Sequence, residues 1–180
     1  MDFLDILAEK AFLGREFLTW LWFRSEQSGG RIEISGNKTI EVHFMDQMKL
    51  DLSGSDTPQT VMVKGEQSRM REGIAALREG KKIEETRVLI KPSENEFAMV
   101  VKGTWLSFGS LRTPPILPQG EMAEEEGVEV AFLEKVSLIE EAMEAVDDLF
   151  RYFLGLRISE EWEKTHLPAM RSWIAEPRDT

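Results

Sequence analysis

Apolar and polar residues change period repeatedly along this chain, and each change marks an element. From Phe12 to Phe23, eight of twelve positions are large and apolar. Read as a helix, Leu13, Phe17, Trp20 and Leu21 share one face, while Leu18, Trp22 and Phe23 spill onto the flanks. That surface is wider than a one-sided helix needs, so the segment is either the central core helix or half of an interface. It is too short to span a membrane, and it carries Arg15 and Glu16. Ser28-Gly29-Gly30 supplies the stop signal.

Beyond Gly30 the period falls to two. Arg31 to Ile34 alternates, Ser35 to Lys38 reads as a tight turn, and Ile40, Val42 and Phe44 alternate with Thr39, Glu41 and His43, which predicts a hairpin with one wet face. Met48 to Leu52 and Thr60 to Lys64 read as further short strands on either side of a loop at 53–58. Between Gly65 and Gly80 the period returns to 3.6, and Met70, Ile74 and Leu77 form the stripe of an amphipathic helix. Thr86 to Ile90 and Phe97 to Val101 then flank a polar turn at 92–95, a second hairpin that Trp105 to Phe108 extends.

Residues 113–127, with Pro-Pro, Pro-Gln-Gly and three consecutive glutamates, have the composition of a linker. After them Phe132, Val136, Ile139, Met143, Val146, Phe150 and Phe153 repeat in heptad fashion, predicting a long helix. This seam packs on the sheet or the opening helix, or else forms a dimer contact. Ser159 with the glutamates after it reads as an N-cap and acidic first turn of a last helix, kinked at Pro168. The fold expected is α+β: an antiparallel sheet of hairpins, an opening aromatic helix, one amphipathic helix within the sheet region and a long heptad-patterned C-terminal helix. The organisation expected is a helix-plus-sheet core over 1–112, a linker over 113–127, and C-terminal helices over 128–180 packing on the same core.

Charge adds a second layer of information. The net charge is -11, but residues 1–59 contribute -4, residues 60–112 contribute +3 and residues 121–180 contribute -10. Because attraction to phosphate acts within about a Debye length, roughly 8 to 10 Å, a polyanion would meet only the middle block. Within it Lys64, Arg69, Arg71, Arg78, Lys81, Lys82, Arg87 and Lys91 place eight cations in 28 residues. They are the candidate nucleic-acid contacts, although interleaved glutamates could pair with them. No base-reading helix is evident, so contact would be indifferent to sequence.

Other chemistries find little support. The chain has no cysteine and only two histidines, His43 and His166, with no ligand pattern around either. No metal, cofactor or catalytic residue is therefore expected. Gly73 to Lys82 lacks phosphate-loop spacing, and no dinucleotide fingerprint or nucleophile elbow occurs. The carboxylates fall in the linker or on the outer helix face, which argues against an enzyme. Acids at Asp2 and Asp5 stand where a secretory signal would be basic, so a soluble cytoplasmic protein is expected.

Several motifs resemble the C-terminal region of the recombination-associated RdgC family. They are the opening Phe12-Leu13-Gly14-Arg15-Glu16-Phe17-Leu18-Thr19-Trp20-Leu21-Trp22-Phe23, Val63-Lys64-Gly65-Glu66, and Leu77 to Ile83 leading into a strand. The likeness covers roughly residues 11–156. It implies an α+β fold and a non-enzymatic role at the nucleoid, binding double-stranded DNA without sequence preference in association with recombination, as a dimer. The alternative is an assembly module that binds a protein partner or a second copy. Its candidate interface residues are Trp20, Trp22, Phe23, Val136, Ile139, Met143, Val146 and Phe150.

Overall fold

The computed structural model describes residues 3–34, 38–52, 60–65, 69–116 and 124–177, with the side chains of 3–12, 69, 70 and 124–126 outside the description. The fold is α+β. In order come α1 (Phe3–Gln27), β1 (Arg31–Ile34), β2 (Lys38–Asp51), β3 (Val61–Lys64), a π-helical turn (Arg69–Gly73), α2 (Ile74–Arg78), β4 (Lys82–Lys91), β5 (Phe97–Lys102) and β6 (Ser107–Arg112). Then follow α3 (Glu124–Arg157), a second π-helical turn (Trp162–His166) and α4 (Leu167–Ala175). Residues 35–37 of the turn expected at 35–38, the whole loop at 53–58 and the linker's 117–123 lie outside the described residues.

α1 ends where its sequence says it should. Gly29 and Gly30 adopt φ of 61° and 90°, a left-handed conformation that glycine reaches without strain, and the Gly30 N–H donates to the Ser25 carbonyl at 2.7 Å. The buried Ser25 hydroxyl donates to the Val42 carbonyl at 2.6 Å, fastening the helix end to the sheet.

β2 organises the sheet. The two short strands expected at 40–44 and 48–52 are one strand of 14 residues, continuous through a bulge between Phe44 and Met48. One edge pairs with β4 along its length, while the other takes β1 and then β3, giving the order β1-β2-β4-β5-β6 with every neighbour antiparallel. Period two then sorts the side chains. Ile40, Val42, Phe44, Met48 and Leu50 of β2, Ile83, Val88 and Ile90 of β4, and Phe97, Met99 and Val101 of β5 are all buried beneath the helices.

The helix layer closes over this face through aromatic contacts. Phe17 meets Phe150 edge-on at 5.2 Å and Phe153 at 5.6 Å, Trp20 meets Phe153 at 5.4 Å, and Trp22 meets Trp173 of α4 at 5.1 Å. Each such ring contributes about 4 to 6 kcal/mol from burial before chain entropy is subtracted, at roughly 25 cal/mol per Å² over 150 to 250 Å². One hydrophobic cluster joins sheet, α1, α3 and α4.

α3 is longer and rotated relative to the sequence reading. It starts at Glu124, inside the stretch read as linker, because acids in a first turn suit the positive end of the helix dipole. Its buried stripe runs through Leu138, Ala142, Ala145, Val146, Leu149 and Phe153, while Phe132 and Met143 of the heptad seam are 65% and 52% exposed. The small alanines let α3 settle close to the layer below, which a count of large residues does not anticipate. The Ser159 hydroxyl donates back to the Leu156 carbonyl at 2.7 Å, while the Ser159 carbonyl accepts from the Trp162 N–H at 3.2 Å, where the last helical run begins at residue 160. Ahead of Pro168, which has no N–H to donate, the chain widens into the π-helical turn before α4.

Candidate nucleic-acid interface

The sheet has a second face, and among the described residues no helix packs on it. Cross-strand register assigns its side chains. Arg31 lies opposite Glu41 and Glu41 opposite Lys91, while Lys49 lies opposite both Met62 and Glu85. Lys64 pairs in register with Gln47, Lys82 with Asp51, Arg87 with Val100, Lys102 with Ser107, and Arg112 with Ala98. All alternate with the buried set, so all point away from the helices.

This face thus carries eight cations, Arg31, Lys49, Lys64, Lys82, Arg87, Lys91, Lys102 and Arg112, against four strand carboxylates, Glu33, Glu41, Asp51 and Glu85. Its middle is apolar, with Leu89, Ala98 and Val100. The only outward cation bridged within 4 Å among the described residues is Lys102, to Glu85 at 3.8 Å, and both are solvent-accessible. Such a pair contributes little on its own. The opposite side of the molecule is acidic, with Glu140, Glu144 and Asp147 exposed on α3. A chain of net charge -11 thus separates its charges by layer, positive on the open sheet and negative on the helices.

The cations proposed from sequence divide accordingly. Lys64, Lys82, Arg87 and Lys91 share the open face. Arg71 is exposed on the π-helical turn outside the sheet, and the side chain of Arg69 lies outside the description. Two others have structural partners. The Arg78 guanidinium donates to the Ile174 carbonyl at 2.7 Å and the Glu176 carbonyl at 2.5 Å, at the C-terminus of α4. Lys81 is buried and ion-paired with Glu79. Arg31, Lys49, Lys102 and Arg112 were not among the eight sequence candidates; strand phase was their signal, since Lys49 sits between inward Met48 and Leu50.

One carboxylate leaves the sheet pattern. Between Ile83 and Glu85 the register of β4 against β2 slips by one residue, and the extra residue, Glu84, turns to the helix side. There it pairs with Arg15 and accepts a hydrogen bond from the Thr104 hydroxyl at 2.6 Å. The slip removes a negative charge from the open face and fixes α1 to the sheet.

The residues proposed for a partner interface also divide. Trp20, Trp22, Phe23 and Val146 are buried in this chain's own core, Val136, Ile139 and Phe150 are half-buried, and Met143 is exposed. Of the two histidines, His43 lies on the open face, its ring against Gly30, where a Cβ would collide with it. His166 stacks on Trp162, and burial first, then the positive charge of Arg24, lowers its pKa from 6.5, with Glu161 opposing. Among the described residues no group of three or more His, Asp or Glu could hold a metal ion, and no helix is long and apolar enough to cross a membrane.

Comparison with protein-family models, curated proteins and solved structures finds no match for this chain.

Proposed function

We propose that this is a non-enzymatic protein that binds double-stranded DNA without sequence preference through the open face of its sheet. The observation that carries the reading is the segregation of charge: eight outward cations against four carboxylates on one face of a chain whose net charge is -11. Phosphate contacts from strand lysines and arginines position a duplex without reading it, because reading bases requires an element inserted into a groove. Association with recombination, a place at the nucleoid and a dimeric state extend the proposal along the RdgC resemblance.

The test is fluorescence anisotropy of a labelled duplex of random sequence. If four to six phosphates are neutralised, the log-log slope of affinity against salt is about -4 to -5, and retention at about 50 mM is largely lost by 200 mM. A Lys49→Glu, Arg87→Glu, Lys91→Glu protein should lose most affinity while folding normally. Absence of retention at low salt, or indifference to the triple reversal, refutes the reading.

A further inference from the structure

We propose that the groove between α3 and the β5–β6 turn docks a basic amphipathic helix of a partner protein. The groove consists of two hollows of about 360 and 350 Å³ that share Leu106 and Phe150 and so run on from one another. Phe108 and Met143 line one end and Trp105 the other, with exposures of 39%, 52% and 66%. Among the described residues nothing closes over them. Contiguous exposed apolar surface of this kind marks a binding site.

Charge selects the occupant. Glu144 and Asp147 line the groove, and Glu140 lies one helical turn before Glu144 on the same side of α3. Asp147 is bridged to Arg151 at 2.6 Å, whereas among the described residues neither Glu140 nor Glu144 has a cation within 4 Å. An apolar floor beside unneutralised carboxylates complements a helix whose apolar stripe is flanked by lysine or arginine. An extended strand is the poorer fit. The free edge of β6 is irregular, with a register shift against β5 and Ser110 at φ 52°, which spoils it as a pairing template. Leu106, also left-handed at φ 48°, places its side chain between the two hollows, and such strained residues concentrate at binding sites.

Trp105 provides the readout, since the other four tryptophans are at most 4% exposed. The probe is a synthetic helix of leucine and lysine at amphipathic spacing, with its leucine–glutamate counterpart as control. The lysine peptide should shift Trp105 emission to the blue with saturation, and the glutamate peptide should not. Phe108→Asp and Met143→Asp proteins, checked for folding by circular dichroism, should each bind at least tenfold more weakly, and Glu140→Lys with Glu144→Lys should reverse the charge preference. An unchanged spectrum, equal response to both peptides, or undiminished binding by the two aspartate variants overturns the proposal. None of these readouts depends on DNA binding.

Discussion

The guanidinium of Arg78 lies 2.7 Å from the carbonyl oxygen of Ile174, ninety-six positions further along the chain. With its second bond, to Glu176, it satisfies carbonyls that the end of α4 would otherwise leave to solvent. The Arg78→Ala protein should therefore lose about 1 to 2 kcal/mol of stability in urea unfolding, while its affinity for duplex DNA stays within about twofold of the parent.

Arg87 makes the opposite prediction. It sits in β4 opposite Val100, on the open face, with no ion pair among the described residues. Arg87→Ala should leave the unfolding midpoint within about 0.5 kcal/mol of the parent and lower the salt slope of DNA binding by about one unit. Measured together, the two arginines separate a structural cation from a phosphate-binding one.

Gly14 tests how α1 meets the sheet. A Cβ there would collide with the carbonyl oxygen of Gly103, and one on Gly103 would come within 3.0 Å of the Ile83 carbonyl oxygen. Helix propensity alone favours Gly14→Ala by about 1 kcal/mol. Backbone against backbone cannot yield, so the collision should win and the variant should be destabilised by about 1 to 3 kcal/mol in chemical denaturation.

Phe153 and Met143 belong to one heptad series but meet different surroundings. Phe153 is buried against Phe17, Trp20, Phe150 and Trp162, whereas Met143 is half exposed. Truncation to alanine should cost about 3 to 5 kcal/mol at 153 and less than about 0.5 kcal/mol at 143.

His166 predicts a pH dependence with a definite sign. Its folded pKa lies below the 6.5 of the unfolded chain, so the unfolded state takes up a proton more readily. The contribution to stability is complete above about pH 6.5 and declines as pH falls through that value toward the folded pKa. His166→Phe keeps a ring against Trp162 and should flatten the pH dependence of the urea midpoint over this window; an unchanged profile would assign the effect elsewhere.

Local periodicity made the class of fold legible. Ile40-Val42-Phe44 and Phe97-Met99-Val101 announce their inward face, and Gly29-Gly30 announces the end of α1. Continuity between elements was less visible. Whether Phe44 and Met48 belong to one strand depends on a bulge that β4 imposes from outside. Glu124 to Glu126 suit either a solvated linker or a helix start. For the interface, proximity in sequence proved a poor guide to proximity in space. Lys81 and Lys82 are neighbours, yet one is buried and the other lies on the open face, and Arg31 and Arg112 sit on that face from opposite ends of the sheet. Phase within a strand, not density of charge along the chain, decides which cations assemble.

The bulge in β2 has a consequence for how this sequence can vary. Between Phe44 and Met48 the strand advances four residues while β4 advances two, so the surplus is an even number and both halves of β2 keep the same side turned inward. Unless absorbed by a one-residue slip like that at Glu84, gain or loss of a single residue there would invert everything downstream, carrying Lys49 into the oily interior and Leu50 into water. Natural or engineered length changes in this segment should accordingly be tolerated more readily in pairs than singly.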